Sequence, residues 1–110
     1  MTELSGYRIM WMVVMFDIPV MSKDQRHSAT SFRKELLNQG FIMAQYSVYM
    51  RACSDSSVAD RISFHLSESV PQDGKVDILM LTDKQYQNIK SFLGKKTIGR
   101  YDPPDQLTLF

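Results

Sequence analysis

The sequence predicts an α+β fold whose elements run strand, helix, strand, strand, helix, strand, with a short third helix and a terminal strand behind them. Three observations predict it. Residues Ile9 to Phe16 are an unbroken apolar run that meets Asp17 and Pro19, the pattern of a strand buried on both faces. Two helices are marked by N-cap residues ahead of apolar positions at helical spacing, Ser22 with Gln25 for the first and Ser54 or Asp55 for the second. Phe41 to Arg51 and Lys75 to Leu81 are apolar without a helical period.

In the first run, three β-branched residues (Ile9, Val13 and Val14), two aromatics and no helix cap favour a strand over a piece of buried helix. Asp17 stands where that strand leaves the core, so it is either a turn residue or a site. Pro19-Val20-Met21 is a short connection. The Ser22/Gln25 capping box opens a helix from about Lys23 to Gln39, and Gly40 closes it. At 100° per residue, Ala29, Phe32 and Leu36 fall within about 60° and make a narrow apolar face. Lys23, Arg26, His27, Arg33 and Lys34 occupy an adjoining sector about 120° wide, the strongest charge segregation in the chain.

Phe41 to Arg51 is too long for one typical strand and divides into a short strand over Phe41 to Ala44, a bend or bulge around Gln45, and a longer strand to Arg51. The second helix runs to about Ser67 on Val58, Ile62 and Leu66. Pro71 and Gly74 bracket a loop. Lys75 to Leu81 is the next strand, broken by Asp77, which faces solvent or the edge of a dimer. Thr82 with Gln85 repeats the capping box, and Tyr86, Ile89 and Leu93 give a short third helix its apolar face, ended by Gly94. The tail closes on alternating apolar residues, Leu107 to Phe110, read as a short strand docking in cis or on another subunit. Residues 1–110 form a single domain in this reading, with 95–110 the docking tail.

This is the βαββαβ order of the ferredoxin-like fold, an antiparallel sheet with two helices on one face. In a single copy the sheet's second face is open to water, yet the first strand is apolar at every position from Ile9 to Phe16. A second copy of the chain is the expected cover, giving a homodimer packed through the sheets. Asp17 would then lie near its symmetry mate.

Bulk composition narrows the function classes. At 110 residues the chain holds one modest core, and 44% apolar with 23% charged residues is the balance of a soluble globular protein. A net charge of +1 gives no global attraction to polyanions, so any nucleic-acid surface must be local. The lone Cys53 excludes an internal disulfide and a multi-cysteine zinc site, and suits a reducing compartment. No stretch approaches the ~18 apolar residues of a membrane span, and Glu3 precedes the first apolar run where a signal peptide would be basic. A cytoplasmic location is the expectation.

Motifs for zinc proteases, P-loops, nucleophile elbows and dinucleotide folds are absent, and His27 and His65 are isolated. Asp17 is therefore the leading candidate for a metal or catalytic group. One carboxylate binds Mg²⁺ poorly. Two brought together by a dimer axis repel each other, and one divalent cation relieves that repulsion. The basic sector of the first helix is either a solvated face or a phosphate-binding stripe, presented twice in a dimer as a long duplex requires. Tyr46 and Tyr49 are aromatics that either stack on bases or pack in the core or an interface.

Val14-Met-Phe-Asp17-Ile-Pro19, the helix bearing Phe32-Arg-Lys-Glu-Leu36, then Gly40-Phe-Ile-Met43 and Gln45-Tyr-Ser-Val-Tyr49 resemble the CRISPR-associated protein two family, in the form found in type II systems. The resemblance covers the first half of the chain by motif and the rest by strand pattern. It implies a ferredoxin-like homodimer that spans protospacer duplex DNA between two dimers of the integrase, CRISPR-associated protein one, during spacer acquisition. It also implies a metal-dependent endonuclease on RNA or DNA, with Asp17 as ligand of a divalent cation such as Mg²⁺. By the same resemblance Arg26 matches an arginine early in the first helix and Tyr49 the aromatic after Ser-Val. Some relatives carry an arginine just before the Gln-x-Ser-Val motif, where this chain has Met43 or Ala44, a departure from the nuclease constellation.

Three readings follow. In the first, the chain is a dimeric DNA-binding scaffold of CRISPR adaptation, with Lys23, Arg26, Arg33 and Lys34 on phosphates. In the second it is a Mg²⁺-dependent phosphodiesterase built on paired Asp17 carboxylates, with Tyr49 a weaker site candidate. The third is a ferredoxin-like regulatory dimer with no nucleic-acid role.

Overall fold

The computed structural model describes residues 9–94 and the backbone of 96–99. Its elements are β1 (Met10–Asp17), α1 (Lys23–Asn38), β2 (Ile42–Gln45), β3 (Val48–Cys53), α2 (Ser56–Glu68), β4 (Lys75–Thr82), α3 (Asp83–Gln87), β5 (Ser91–Leu93) and β6 (Lys96–Gly99). The first four strands form one antiparallel sheet in the order β2-β3-β1-β4. With α1 and α2 packed on one face, this is the ferredoxin-like α+β sandwich expected from the element order.

Local chemistry sets the boundaries. Ser22 accepts from the Gln25 N–H at 3.0 Å and the Gln25 side chain accepts from the Ser22 N–H at 3.0 Å, so the capping box that opens α1 is complete. Asp55, not Ser54, caps α2, accepting from the Val58 N–H at 3.0 Å. Gly40 ends α1 at φ +89°, and a Cβ there would approach Arg51 Nη1 to 3.1 Å. That guanidinium donates to the Gln39 carbonyl and ties the end of α1 to β3. A side chain at position 40 would therefore be strained in its backbone and crowd this tie.

Alternation along β1 builds two layers. Met12, Val14 and Phe16 point inward and meet Phe32 and Leu36 of α1, Phe41, Tyr49 and Cys53, and Ala59, Ile62 and Leu66 of α2. Trp11 and Val13 point to the second face and pack with Ile42, Ala44, Val48, Met50, Leu81, Tyr86 and Ile89.

The structure refines the expectation at one place and differs from it at another. The bend or bulge expected around Gln45 is both: the register of β2 with β3 shifts between Met43 and Gln45, and the chain then makes a tight hairpin over Tyr46 and Ser47 into β3. Ser47 takes φ +65°, the only non-glycine at positive φ among the described residues, and supplies the reversal. The third helix is one turn long. Asn88 caps it, in keeping with that residue's preference for local bonding over helix, and Leu93 lies on β5, off the helix face. Gly94, at φ +65°, turns β5 into β6 and is not a helix C′ residue. Of the expected docking tail, Lys96–Gly99 pairs with β5; Leu107 to Phe110 lie outside the described residues.

The short α3 has a consequence for the second face. Tyr86 stacks on Trp11 with ring centroids 3.8 Å apart, and Trp11 Nε1 donates to Asp83 Oδ1 at 2.9 Å. The chain therefore covers one end of that face itself. At the other end Met15 is 38% and Leu79 46% exposed.

Candidate functional site

Asp17 is the last residue of β1, on the same face as Met15 by strand alternation. Ile18 and Pro19 follow, and a proline has no N–H with which to continue a ladder, so the strand stops with the carboxylate at its rim. The side chain is exposed and makes no hydrogen bond or ion pair among the described residues. Its oxygens are free to accept.

The register decides what surrounds it. Asp17 is paired across the ladder with Lys75, and Met15 with Asp77, so all four side chains share one face of the sheet. Lys75 Nζ binds Asp77 Oδ2 at 3.1 Å. Both partners are well exposed, so this pair adds little stability. Met15, Phe16, Asp17, Lys75 and Asp77 line an open cleft of about 250 Å³.

On the other side of β1 stands the β2–β3 hairpin. The Phe16 N–H donates to the Ser47 carbonyl at 3.1 Å, extending the β1–β3 pairing one step past Met15 and Val48. Tyr46 precedes Ser47 in the turn between β2 and β3. Tyr46 is 81% exposed. Tyr49, by contrast, is 4% exposed and lies against Phe16 with centroids 5.7 Å apart. In this geometry Tyr49 is a core residue that supports the strand carrying Asp17, and its ring has no open face for a substrate.

The basic residues of α1 belong to the other layer. Ala29, Phe32 and Leu36 bury the helix against the inner face of the sheet, and Lys23, Arg26, Arg33 and Lys34 run along its outer flank. Lys23 and Lys34 are exposed and make no ion pair among the described residues. Arg26 Nη1 donates to the Val20 and Met21 carbonyls, both at 3.2 Å, and so braces the loop after Asp17. Arg33 Nη2 donates to Thr30 Oγ1 at 3.3 Å. Near the start of the stripe Asp24 and Asp73 face a second cleft of about 150 Å³, so the helix's first turn is not uniformly positive. The structure thus brings Asp17 together with Met15, Lys75 and Asp77, and leaves the stripe on a separate surface.

Lys75 and Asp77 escaped sequence reasoning because only strand register links them to Asp17. Two groups with displaced pKa values lie elsewhere. Burial raises the Cys53 thiol above its ordinary 9.0, and a hydrogen bond from the Ser57 hydroxyl lowers Asp55, helped by the Val58 N–H. Among the described residues no three His, Cys, Asp or Glu side chains converge on a metal position, and no helix is long and apolar enough to cross a membrane.

Comparison with known proteins bears directly on this geometry. The family model for CRISPR associated protein Cas2 matches residues 10–89, from the first residue of β1 to just beyond α3. The chain belongs to the Cas2 family. A Cas2 relative from Paracidovorax avenae, named CRISPR-associated endoribonuclease Cas2, is 47% identical over 107 residues, covering 97% of this chain and 99% of its own. Relatives of the same name from Flavobacterium psychrophilum and Parvibaculum lavamentivorans are 38% and 41% identical, covering 99% and 92% of this chain. They match over 95% and 100% of their own lengths. A solved structure described as "Crystal structure of cas2" superposes with a TM-score of 0.58 at 16% identity, over 86% of this chain and 95% of that one, a likeness of fold.

Proposed function

We propose that this chain is a CRISPR adaptation subunit, a homodimer in the cytoplasm that binds protospacer duplex DNA and bridges dimers of the integrase, CRISPR-associated protein one. Near-full-length similarity to Cas2 relatives carries the reading. The second sheet face supports the dimer, since Met15 and Leu79 remain exposed where α3 does not reach. Lys23, Arg26, Arg33 and Lys34 are its phosphate contacts. Arg26 and Arg33 each have five N–H donors and keep some free after their bonds to Val20, Met21 and Thr30. The ferredoxin-like unit and residues 95–110 act as one domain. Lys23→Ala with Lys34→Ala tests the stripe. For every phosphate that the variant no longer neutralises, the slope of log affinity against log salt should flatten by about 0.9 on duplex DNA. Unchanged affinity and slope in the double variant would remove the stripe from the reading.

A second reading has its own support, the free Asp17 carboxylate and the endoribonuclease name of the relatives. In it the chain is a Mg²⁺-dependent endonuclease acting on RNA. The donor set fits such a cation in kind, a hard carboxylate at an open rim, because Mg²⁺ is commonly held by one or two carboxylates and keeps several waters. Asp77 is engaged by Lys75, so the second carboxylate comes from Asp17 of the other copy across the two-fold axis. When bound there, the ion supplies Lewis-acid stabilisation of the charge that develops on the phosphodiester. Asp17 holds and orients, Phe16 and Tyr49 fix its strand from below, and Lys75 adds positive charge on the open side. Asp17→Ala should abolish Mg²⁺-dependent cleavage while leaving duplex binding intact; cleavage that survives the substitution defeats this reading and leaves the first one standing.

A further inference from the structure

The connection from Asp17 to α1, Ile18 to Ser22, belongs to neither strand nor helix. Its first residue, Ile18, packs on the inner layer, where a Cβ on Gly74 would come within 3.0 Å of its Cγ1. Val20 and Met21 have no such support: they are apolar, yet 48% and 87% exposed. Hydrogen bonds from the first turn of α1 hold them instead. Gln25 Oε1 accepts from the Met21 and Ser22 N–H groups at 2.8 and 3.0 Å, and Arg26 Nη1 donates to the Val20 and Met21 carbonyls, both at 3.2 Å. The capping box accounts for Gln25. Nothing in the helix requires Arg26 to reach back to Val20. We propose that Arg26 is a positioning residue for Asp17, fixing the connection behind the carboxylate so that it stays aimed at a divalent cation. The proposal rests on the endonuclease reading of Asp17 and names the group that keeps its site in shape.

Asp17 cannot orient itself. Its side chain makes no hydrogen bond or ion pair among the described residues, so the backbone alone sets the direction of the carboxylate. On the N-terminal side that backbone is fixed by the ladder to β4 and by the Phe16 N–H bond to Ser47. On the C-terminal side the ladder stops, and the bonds from Arg26 and Gln25 take its place. Mg²⁺ demands near-ideal octahedral geometry, so a carboxylate swaying on a loose strand end would hold it weakly. Arg26 suits the task chemically. Its Nη1 carries two hydrogens, one for each of two neighbouring carbonyls, on a planar group that keeps its charge. An arginine serving only phosphate would have no need to turn Nη1 to the loop, and the Nε and Nη2 donors remain for phosphate. The carboxylate and the basic stripe lie on separate surfaces, and this guanidinium is where they meet.

The test titrates the metal-free full chain with Mn²⁺, followed by the EPR signal of the free ion, with no nucleic acid present. Arg26→Ala should weaken Mn²⁺ binding about tenfold, the lower end of the range for groups that orient a metal ligand. Removing a positive charge by itself favours a cation, so this loss runs against electrostatics and reports geometry. Arg26→Lys restores the charge and a donor, and should bind Mn²⁺ more tightly than Arg26→Ala, again opposite to the sign that charge alone gives. In the metal-free protein, amide exchange at Met21 and Ser22 should quicken in Arg26→Ala while that of β1 stays as in wild type, which shows that the connection alone has loosened. Wild-type or tighter Mn²⁺ binding in Arg26→Ala overturns the proposal. Asp17→Ala separates that outcome from failure of the underlying reading. If Asp17→Ala loses Mn²⁺ while Arg26→Ala keeps it, Asp17 is the site and Arg26 does not position it. If Asp17→Ala binds Mn²⁺ like wild type, the endonuclease reading itself has failed, and the positioning role falls with it.

Discussion

The two faces of β1 are built from the same strand and end in opposite conditions. Inward, Met12, Val14 and Phe16 are closed over by α1 and α2 until almost no surface remains. Outward, Trp11 is stacked by Tyr86 and bonded to Asp83, Val13 is buried, and two residues later Met15 is open, with Asp17 at the rim. One face is finished along its whole length, the other only at the end nearest α3. The open end of the second face coincides with the unpartnered carboxylate. A strand that served only as core would have no reason to stay apolar past the point where its own chain covers it.

Thiol chemistry should expose the contrast most sharply. Cys53 is on the inner side, and burial raises its pKa, so at neutral pH it is both inaccessible and uncharged. A Met15→Cys, Cys53→Ser variant carries its thiol on the open side. Its alkylation by iodoacetamide should outrun that of native Cys53 by at least about a hundredfold, since Cys53 reacts only through openings that cost a large part of the global stability. The raised pKa also has a sign. The contribution of Cys53 to stability is fully present below the ordinary thiol value near 9.0 and is lost as pH climbs through the raised one. A urea midpoint that falls between pH 8 and pH 10 in wild type and falls less in Cys53→Ala would show it.

Core truncation comes next in size. Leu36→Ala removes a fully buried side chain between α1 and the inner face and should cost about 2–5 kcal/mol by urea denaturation. Leu79→Ala, on the open part of the outer face, should cost less than about 1 kcal/mol at low protein concentration. If a second copy covers that face, the Leu79 penalty grows with concentration, and the Leu36 penalty does so much less. Between these lies Asp83→Ala, which leaves Trp11 Nε1 without its acceptor and should cost about 1 kcal/mol. The emission of Trp11, the chain's one tryptophan, should shift to the red as α3 loosens.

Most of the fold was legible because it is written in local terms. The Ser22/Gln25 and Thr82/Gln85 boxes, the spacing of Ala29, Phe32 and Leu36, and the two-sided apolar character of β1 each depend on residues a few positions apart. What was not legible depends on register and on small backbone choices. Nothing near Lys75 in sequence says that it faces Asp17 across a ladder, and only Ser47 at positive φ turns the expected bend into a hairpin that leaves Tyr46 in water. Tyr46 and Tyr49 illustrate the point: they are three residues apart in one motif, yet the turn sends one into water and leaves the other in the core. The brevity of α3 was missed for a related reason. Leu93 has helical spacing from Ile89, but Asn88 ends the helix before that spacing can be used.

The smallest expected effect is the most discriminating. Asp17→Asn removes the charge at the open end of the outer face and keeps the side chain's shape. The carboxylate makes no hydrogen bond or ion pair among the described residues, so the folded state loses only its through-space attraction to Lys75. Opposite charges facing each other across a ladder contribute about 0.2–1 kcal/mol, and at this exposure the lower end applies. The variant should therefore unfold within about 0.5 kcal/mol of wild type in low salt. In 1 M salt, where the Debye length falls to about 3 Å, the difference should vanish. A loss of about 2 kcal/mol or more, the scale of a broken buried bond, would mean that Asp17 is a structural strand end after all, held by bonds that this geometry lacks. An unchanged stability, set against the several kcal/mol at Leu36, would leave the carboxylate without a folding role and make any change in metal binding or cleavage attributable to the site itself.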